Sequence, residues 1–129
     1  MKVLIVDDDA DTRMLLSNFL HAFNQQVVAF SNAEAVWMYD GLDSIDIFLL
    51  DIVLPGLDGI TLGRSLLATK KSNAFMIAVS GILEPAVAQA LGAGFDAYIA
   101  KPLKIEHVEH VLVQASARRR AARSPSLPG

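Results

Sequence analysis

The sequence predicts an α/β domain: a five-stranded parallel sheet covered by helices on both faces. Three observations predict it. Five short aliphatic runs alternate with segments of helical period. The connections between them are short, so right-handed crossovers bring successive strands back parallel to one another. The 129 residues are 53% hydrophobic but only 7% aromatic, which suits one continuous aliphatic core.

Lys2 to Val6 is a β-branched apolar run that stops on Asp7, Asp8 and Asp9. A helix begins at Ala10 or Asp11, and helical spacing turns Leu15, Leu16, Phe19, Leu20 and Phe23 inward. Gln26 to Phe30 is the second strand. Ser31-Asn32-Ala33-Glu34 has a capping-box pattern and starts a helix carrying Ala33, Val36 and Trp37 inward, closed by Asp40-Gly41. Trp37 reads as core rather than as a platform for a ligand.

The stretch from Ile45 to Gly59, IDIFLLDIVLPGLDG, organises the chain. Its apolar run, Ile47 to Leu50, ends on one carboxylate, Asp51, and a Pro55-Gly56 turn follows. Asp58 can cap a third helix with Ile60, Leu62, Leu66 and Leu67 as its apolar set. Phe75 to Val79 is a fourth strand ending on Ser80-Gly81. Glu84-Pro85 opens a short helix, since proline is tolerated in a first turn, and Gly92-Ala93-Gly94 ends it. Asp96 to Ala100 is the fifth strand, ending on Lys101-Pro102. A last helix runs from about Lys104, with Ile105, Val108, Val111, Leu112 and Ala115 inward. Residues 1–117 form the expected domain. Residues 118–129, RRRAARSPSLPG, read as a basic, disordered or fraying tail.

The absence of cysteine excludes disulfides, thiolate zinc sites and cysteine nucleophiles. No apolar run is long enough to span a bilayer and no signal peptide precedes Met1-Lys2-Val3, so a soluble, cytoplasmic protein is expected. The net charge of −3 hides an asymmetry. Four of the 11 basic residues are Arg118, Arg119, Arg120 and Arg123; without them seven basic residues face 14 acidic ones. Such a body lacks the clustered cations of a nucleic-acid footprint. It suits a divalent cation instead.

Four of the five strands end on polar groups able to act: Asp7 and Asp8, Asp51, Ser80, and Lys101. Ligands of open parallel sheets bind just outside the carboxyl ends of the strands. Three carboxylates gathered there repel one another unless a cation intervenes. Mg²⁺ fits, because it takes oxygen ligands, keeps waters and is often completed by phosphate. A lone lysine offers a point charge for an anionic oxygen, and a serine hydroxyl can donate to another. The set is arranged for a phosphoryl group with a metal, and Asp51 is the candidate nucleophile. Alone, Asp51 would read as a loop carboxylate capping the next turn.

The segments LIVDDD, LLDIVLPGLDG, AVSG and AYIAKP resemble the signature segments of the response-regulator receiver domain of two-component signalling, of the chemotaxis type. The likeness covers roughly residues 2 to 115. It implies a flavodoxin-like sheet of strand order 2-1-3-4-5. It further implies that Asp51 accepts a phosphoryl group from a histidine kinase or histidine phosphotransfer protein. Mg²⁺ would be held by Asp8, Asp51 and the backbone carbonyl of Val53, with Asp7 acting through a water. Lys101 would pair with Asp51 and then with the phosphoryl oxygen. Ser80 would swing to that oxygen, with Gly81 leaving room and Tyr98 moving inward as an aromatic switch. The Lys101-Pro102 bond is expected to be cis. Phosphorylation would change the surface of the helix opening at Glu84-Pro85 and of the last helix, and so alter binding of a downstream protein target. The likeness implies a phosphoacceptor switch rather than an enzyme, one that would assist its own phosphorylation and dephosphorylation. Direct binding of nucleic acid or membrane is not expected. A homodimer through the last helix and fifth strand is left open by Lys104, Glu106, His107 and Val111.

The alternative is an aspartate-nucleophile phosphatase of the haloacid-dehalogenase type, but its second carboxylate would fall where Val53 stands. A flavin-binding domain lacks its phosphate loop here, and three aspartates would repel the flavin phosphate. Several residues have plain readings: Asp9 as a helix-entry residue, Tyr98 as a packed aromatic, His107 and His110 as part of a solvated helix face. The arginines suit a helix carboxyl end without gripping nucleic acid or lipid. Ser80 stands where threonine is common in the family. The stretch from Ser80 to Lys101 is slightly short, with Pro85 early. A stand-alone receiver or the leading part of a longer regulator is expected.

Overall fold

A computed structural model describes residues 1–54, 58–69, 74–81, 92 and 94–123. The elements are β1 (Lys2–Val6), α1 (Ala10–Ala22), β2 (Gln26–Phe30), α2 (Ala33–Trp37), β3 (Ile47–Asp51), α3 (Gly59–Thr69), β4 (Phe75–Ser80), β5 (Ala97–Ala100) and α4 (Ile105–Arg123). The Pro55-Gly56 turn and the helix expected from Glu84-Pro85 lie outside the described residues. All strand pairs are parallel, in the order β2-β1-β3-β4-β5. Thus β1 and β3 are neighbours, and their ends, Val6 paired with Leu50, bring Asp7 and Asp51 to one rim.

Alternation along the strands divides the core into two layers. Leu4, Val6, Phe48, Leu50, Met76 and Ala78 face α2 and α3, meeting Val36, Leu62 and Leu66. Val3, Ile5, Ile47, Leu49, Ile77 and Val79 face α1 and α4, meeting Leu16, Leu20, Val108 and Leu112. Every residue of β3 and β4 is buried, as expected of central strands covered on both sides.

Three side chains expected inside are exposed. Leu15 lies on the flank of the α1 stripe, whose buried centre is Leu16 and Leu20. Trp37 is 39% exposed because α2 is only five residues long: Ala33 and Val36 fill its inner face and Trp37 ends it. Ile105 is the first residue of α4, before the helix reaches the sheet, and is 42% exposed. A short 3₁₀ turn, Leu42–Ser44, which the periodicity did not suggest, buries Leu42 before β3.

Helix ends follow their side chains. Asp9 caps α1, accepting from the Asp11 N–H and from the Thr12 hydroxyl at 2.7 Å. Asn24, at φ 63°, turns the chain out of α1 toward β2. Asn32 caps α2 by accepting from the Ala35 N–H at 2.8 Å, and Asp58 caps α3 by accepting from the Thr61 N–H at 2.7 Å. The fifth strand starts at Ala97 rather than Asp96, because the Asp96 carboxylate turns back to accept from the Met76 N–H at 2.8 Å.

Helix α4 runs past residue 117 to Arg123, so the first part of the stretch read as a tail is helical. Alanine and arginine are strong helix formers, and Arg118 supplies an anchor. Its guanidinium pairs with Asp96 and lies 5.5 Å from the centre of the Phe75 ring. Residues 124–129 lie outside the described residues.

Candidate phosphoacceptor site

The carboxyl rim of the sheet collects the polar strand ends. Asp7 follows β1, Asp51 closes β3, Ser80 closes β4 and Lys101 follows β5. Asp7, Asp51 and Ser80 are nearly inaccessible, and among the described residues they are the polar ones that are buried. A strand that terminates at the rim delivers its last side chain into the pocket without a flexible stem.

Lys101 bridges the two buried carboxylates. Its Nζ donates to Asp51 Oδ2 at 3.0 Å and lies 3.0 Å from Asp7 Oδ2. Lys101 is the charged partner of Asp7 Oδ2, a buried oxygen that keeps acceptor capacity for a further ligand. The other oxygens are held by the backbone: Asp7 Oδ1 accepts from the Asp9 N–H at 2.9 Å and Asp51 Oδ1 from the Val53 N–H at 2.8 Å. Burial raises the pKa of Asp51, against the lowering effect of the Val53 and Lys101 hydrogen bonds; the charge of Asp7 adds to the rise. Burial alone would lower the pKa of Lys101, but Asp7 and Asp51 together outweigh it and hold the ammonium above its ordinary value.

Asp8 is exposed at the mouth, and one carboxylate oxygen from each of Asp7, Asp8 and Asp51 lies within 4.8 Å of the others. Three anions with one ammonium leave a negative excess, and the donor set is all oxygen. With the spare acceptor capacity of the buried Asp7 Oδ2, that chemistry fits a hard divalent cation such as Mg²⁺. Among the described residues no other group of three potential ligands comes as close. His107 and His110 lie on the exposed side of α4 with Glu106 and Glu109.

The remaining candidates fall at the same rim. The Ser80 carbonyl accepts from the Lys101 N–H at 3.0 Å and from the Tyr98 hydroxyl at 2.8 Å. Tyr98 is half-buried against the α2–α3 layer, its phenol tied to the backbone of Ser80. The Lys101-Pro102 peptide is cis. A Cβ on Gly81 would meet only Lys101 Cβ, at 3.7 Å, an ordinary contact.

Two supporting residues escaped the sequence reading. Gly59 starts α3 against the strand: a Cβ there would lie 2.0 Å from the Asp51 carbonyl oxygen, so only glycine permits that approach. The signal was the glycine directly after the Asp58 cap. Arg13 donates from Nη1 to the Asp7 carbonyl at 2.8 Å.

A family model described as the response regulator receiver domain matches residues 3–113. This chain belongs to that family. The transcriptional regulatory protein ResD of Bacillus subtilis (strain 168) is 34% identical to the receiver over 108 residues, which are 83% of this chain and 44% of ResD. Protein RcaC of Microchaete diplosiphon is 32% identical over 102 residues, 79% of this chain and 16% of RcaC. The receiver thus spans less than half the length of these relatives. A two-component response regulator from Clostridium difficile superposes with a TM-score of 0.81 at 26% identity, over 96% of this chain and 99% of that one. The receiver is therefore a module of two-component signalling, and the family match decides against the haloacid-dehalogenase reading. No helix among the described residues is long and apolar enough to cross a membrane.

Proposed function

We propose that the receiver takes a phosphoryl group onto Asp51 from a histidine kinase or histidine phosphotransfer protein and passes the change of state to a downstream protein. The observation that carries this reading is the Asp51 carboxylate, buried at the end of β3 yet bonded to Lys101 and ringed by Asp7 and Asp8.

An Asp51 carboxylate oxygen attacks phosphorus. An O–P bond forms, the P–N bond of the donor's phosphohistidine breaks, and its electron pair returns to the imidazole nitrogen. Asp8, Asp51, the Val53 carbonyl and, through a water, Asp7 would hold Mg²⁺. When bound, that ion neutralises charge on the transferring oxygens. Lys101 donates to a phosphoryl oxygen from the side of β5, and the Ser80 hydroxyl does so from β4. The Tyr98 phenol, attached to the Ser80 carbonyl, shifts with that segment and carries the change toward the surface beside β5. A cytoplasmic setting and pairing of two copies belong to the same proposal.

A small phosphodonor such as acetyl phosphate tests it. With Mg²⁺, intact-mass measurement should show the gain of one phosphoryl group, lost on chelation and in Asp51→Asn. Asp8→Ala should weaken Mg²⁺ binding severely. Steady release of phosphate from many small esters without a phosphorylated protein would contradict the reading.

A further inference from the structure

Arg13 occupies an unfavourable place for a cation. It lies in the first turn of α1, at the positive end of the helix dipole, where anions are preferred. No described carboxylate forms an ion pair with it. A local rule broken without an evident local gain points to work done elsewhere.

That work is the bond from Arg13 Nη1 to the Asp7 carbonyl at 2.8 Å. Asp7 lies one residue beyond the β1–β3 ladder, so its carbonyl has no strand partner there. Its N–H donates to the Phe30 carbonyl at 3.1 Å, and its Oδ1 accepts from the Asp9 N–H at 2.9 Å. Lys101 faces its Oδ2 at 3.0 Å, and Arg13 restrains the one remaining polar atom, the carbonyl oxygen. The Asp7 carbonyl belongs to the peptide plane that leads into Asp8, so holding it holds the Asp8 Cα and the N–Cα axis about which the exposed side chain turns.

We infer that Arg13 is a positioning residue for the divalent-cation site, clamping the Asp7–Asp8 peptide so that both carboxylates converge with Asp51. This rests on the proposed Mg²⁺ site. It also makes a prediction opposite in sign to simple electrostatics. Removing a nearby cation should tighten binding of a divalent ion if charge alone matters; removing a clamp should weaken it.

The test is calorimetric titration of the full chain with Mg²⁺ alone, comparing wild type, Arg13→Met, Arg13→Lys and Asp8→Ala. Arg13→Met keeps the apolar stem and loses the donor, and its Kd should rise roughly 10-fold, the scale of lost outer-sphere support. Arg13→Lys, which keeps a donor but not the fork, should recover part of the loss. Should Arg13→Met fail to fold, Arg13→Lys with a Kd higher than wild type still supports the clamp, and one with an equal or lower Kd overturns it. A folded Arg13→Met binding as tightly as wild type, or more tightly, overturns the positioning role while leaving the cation site intact. A wild-type chain that binds no Mg²⁺, like Asp8→Ala, overturns the cation site as well.

Discussion

Burial of the Asp51 carboxylate raises its pKa above the ordinary 3.8, so the metal-free fold disfavours the anion relative to the unfolded chain. The sign follows from linkage. An acid raised on folding contributes stability below its unfolded value, and that contribution is lost as pH rises through the folded value. In chelator, denaturant unfolding should therefore show the Asp51 contribution falling as pH climbs above 3.8. Asp51→Asn should flatten that fall and be the more stable protein at neutral pH. Lys101 carries the complementary prediction. Removing its ammonium leaves Asp7 and Asp51 facing each other, so Lys101→Met should cost about 1–2 kcal/mol without metal, a buried-pair penalty reduced by partial exposure. Added Mg²⁺ should raise the midpoint of Lys101→Met more than that of wild type. Asp51, Ser80 and Lys101 were legible because each apolar run stops abruptly on them. Arg13 was not, because its partner is a backbone carbonyl and no side-chain pattern records one.

At the scale of elements, the approach of α3 to β3 decides where Asp51 stands. Gly59→Ala would force a methyl against the Asp51 carbonyl, and backbone cannot yield as a side-chain tip would. Thermal unfolding should show a loss of about 1–3 kcal/mol, with Mg²⁺ affinity reduced as well. A fully stable Gly59→Ala would mean that α3 sits elsewhere. Periodicity located the helices but misjudged their margins. Leu15, Trp37 and Ile105 share the hydrophobicity of their neighbours, and what exposes them is the flank of a stripe, a five-residue helix and a first turn short of the sheet. The length of α4 was hidden for a different reason. Arg118 looks like tail composition until Asp96 and Phe75 are placed beside it by folding.

Across the molecule, the five buried or part-buried strands and their alternation between two layers set the register of every rim residue at once. A one-residue slip of β3 would exchange Phe48 and Leu50 with Ile47 and Leu49 between layers and move Asp51 off the rim. The order β2-β1-β3-β4-β5 was not contained in spacing alone; it came with the family likeness, and the parallel pairings agree with it. The site is thus a consequence of topology: β1 beside β3 unites two acids from distant parts of the chain, and Lys101 reaches both.

Reductive trapping tests the central claim most directly. Borohydride converts an aspartyl phosphate to homoserine, which peptide mass spectrometry locates. After reaction with acetyl phosphate and Mg²⁺, homoserine should replace Asp51 and no other aspartate. Label at Asp7 or Asp8, or none anywhere in a folded, Mg²⁺-bound protein, would contradict the account.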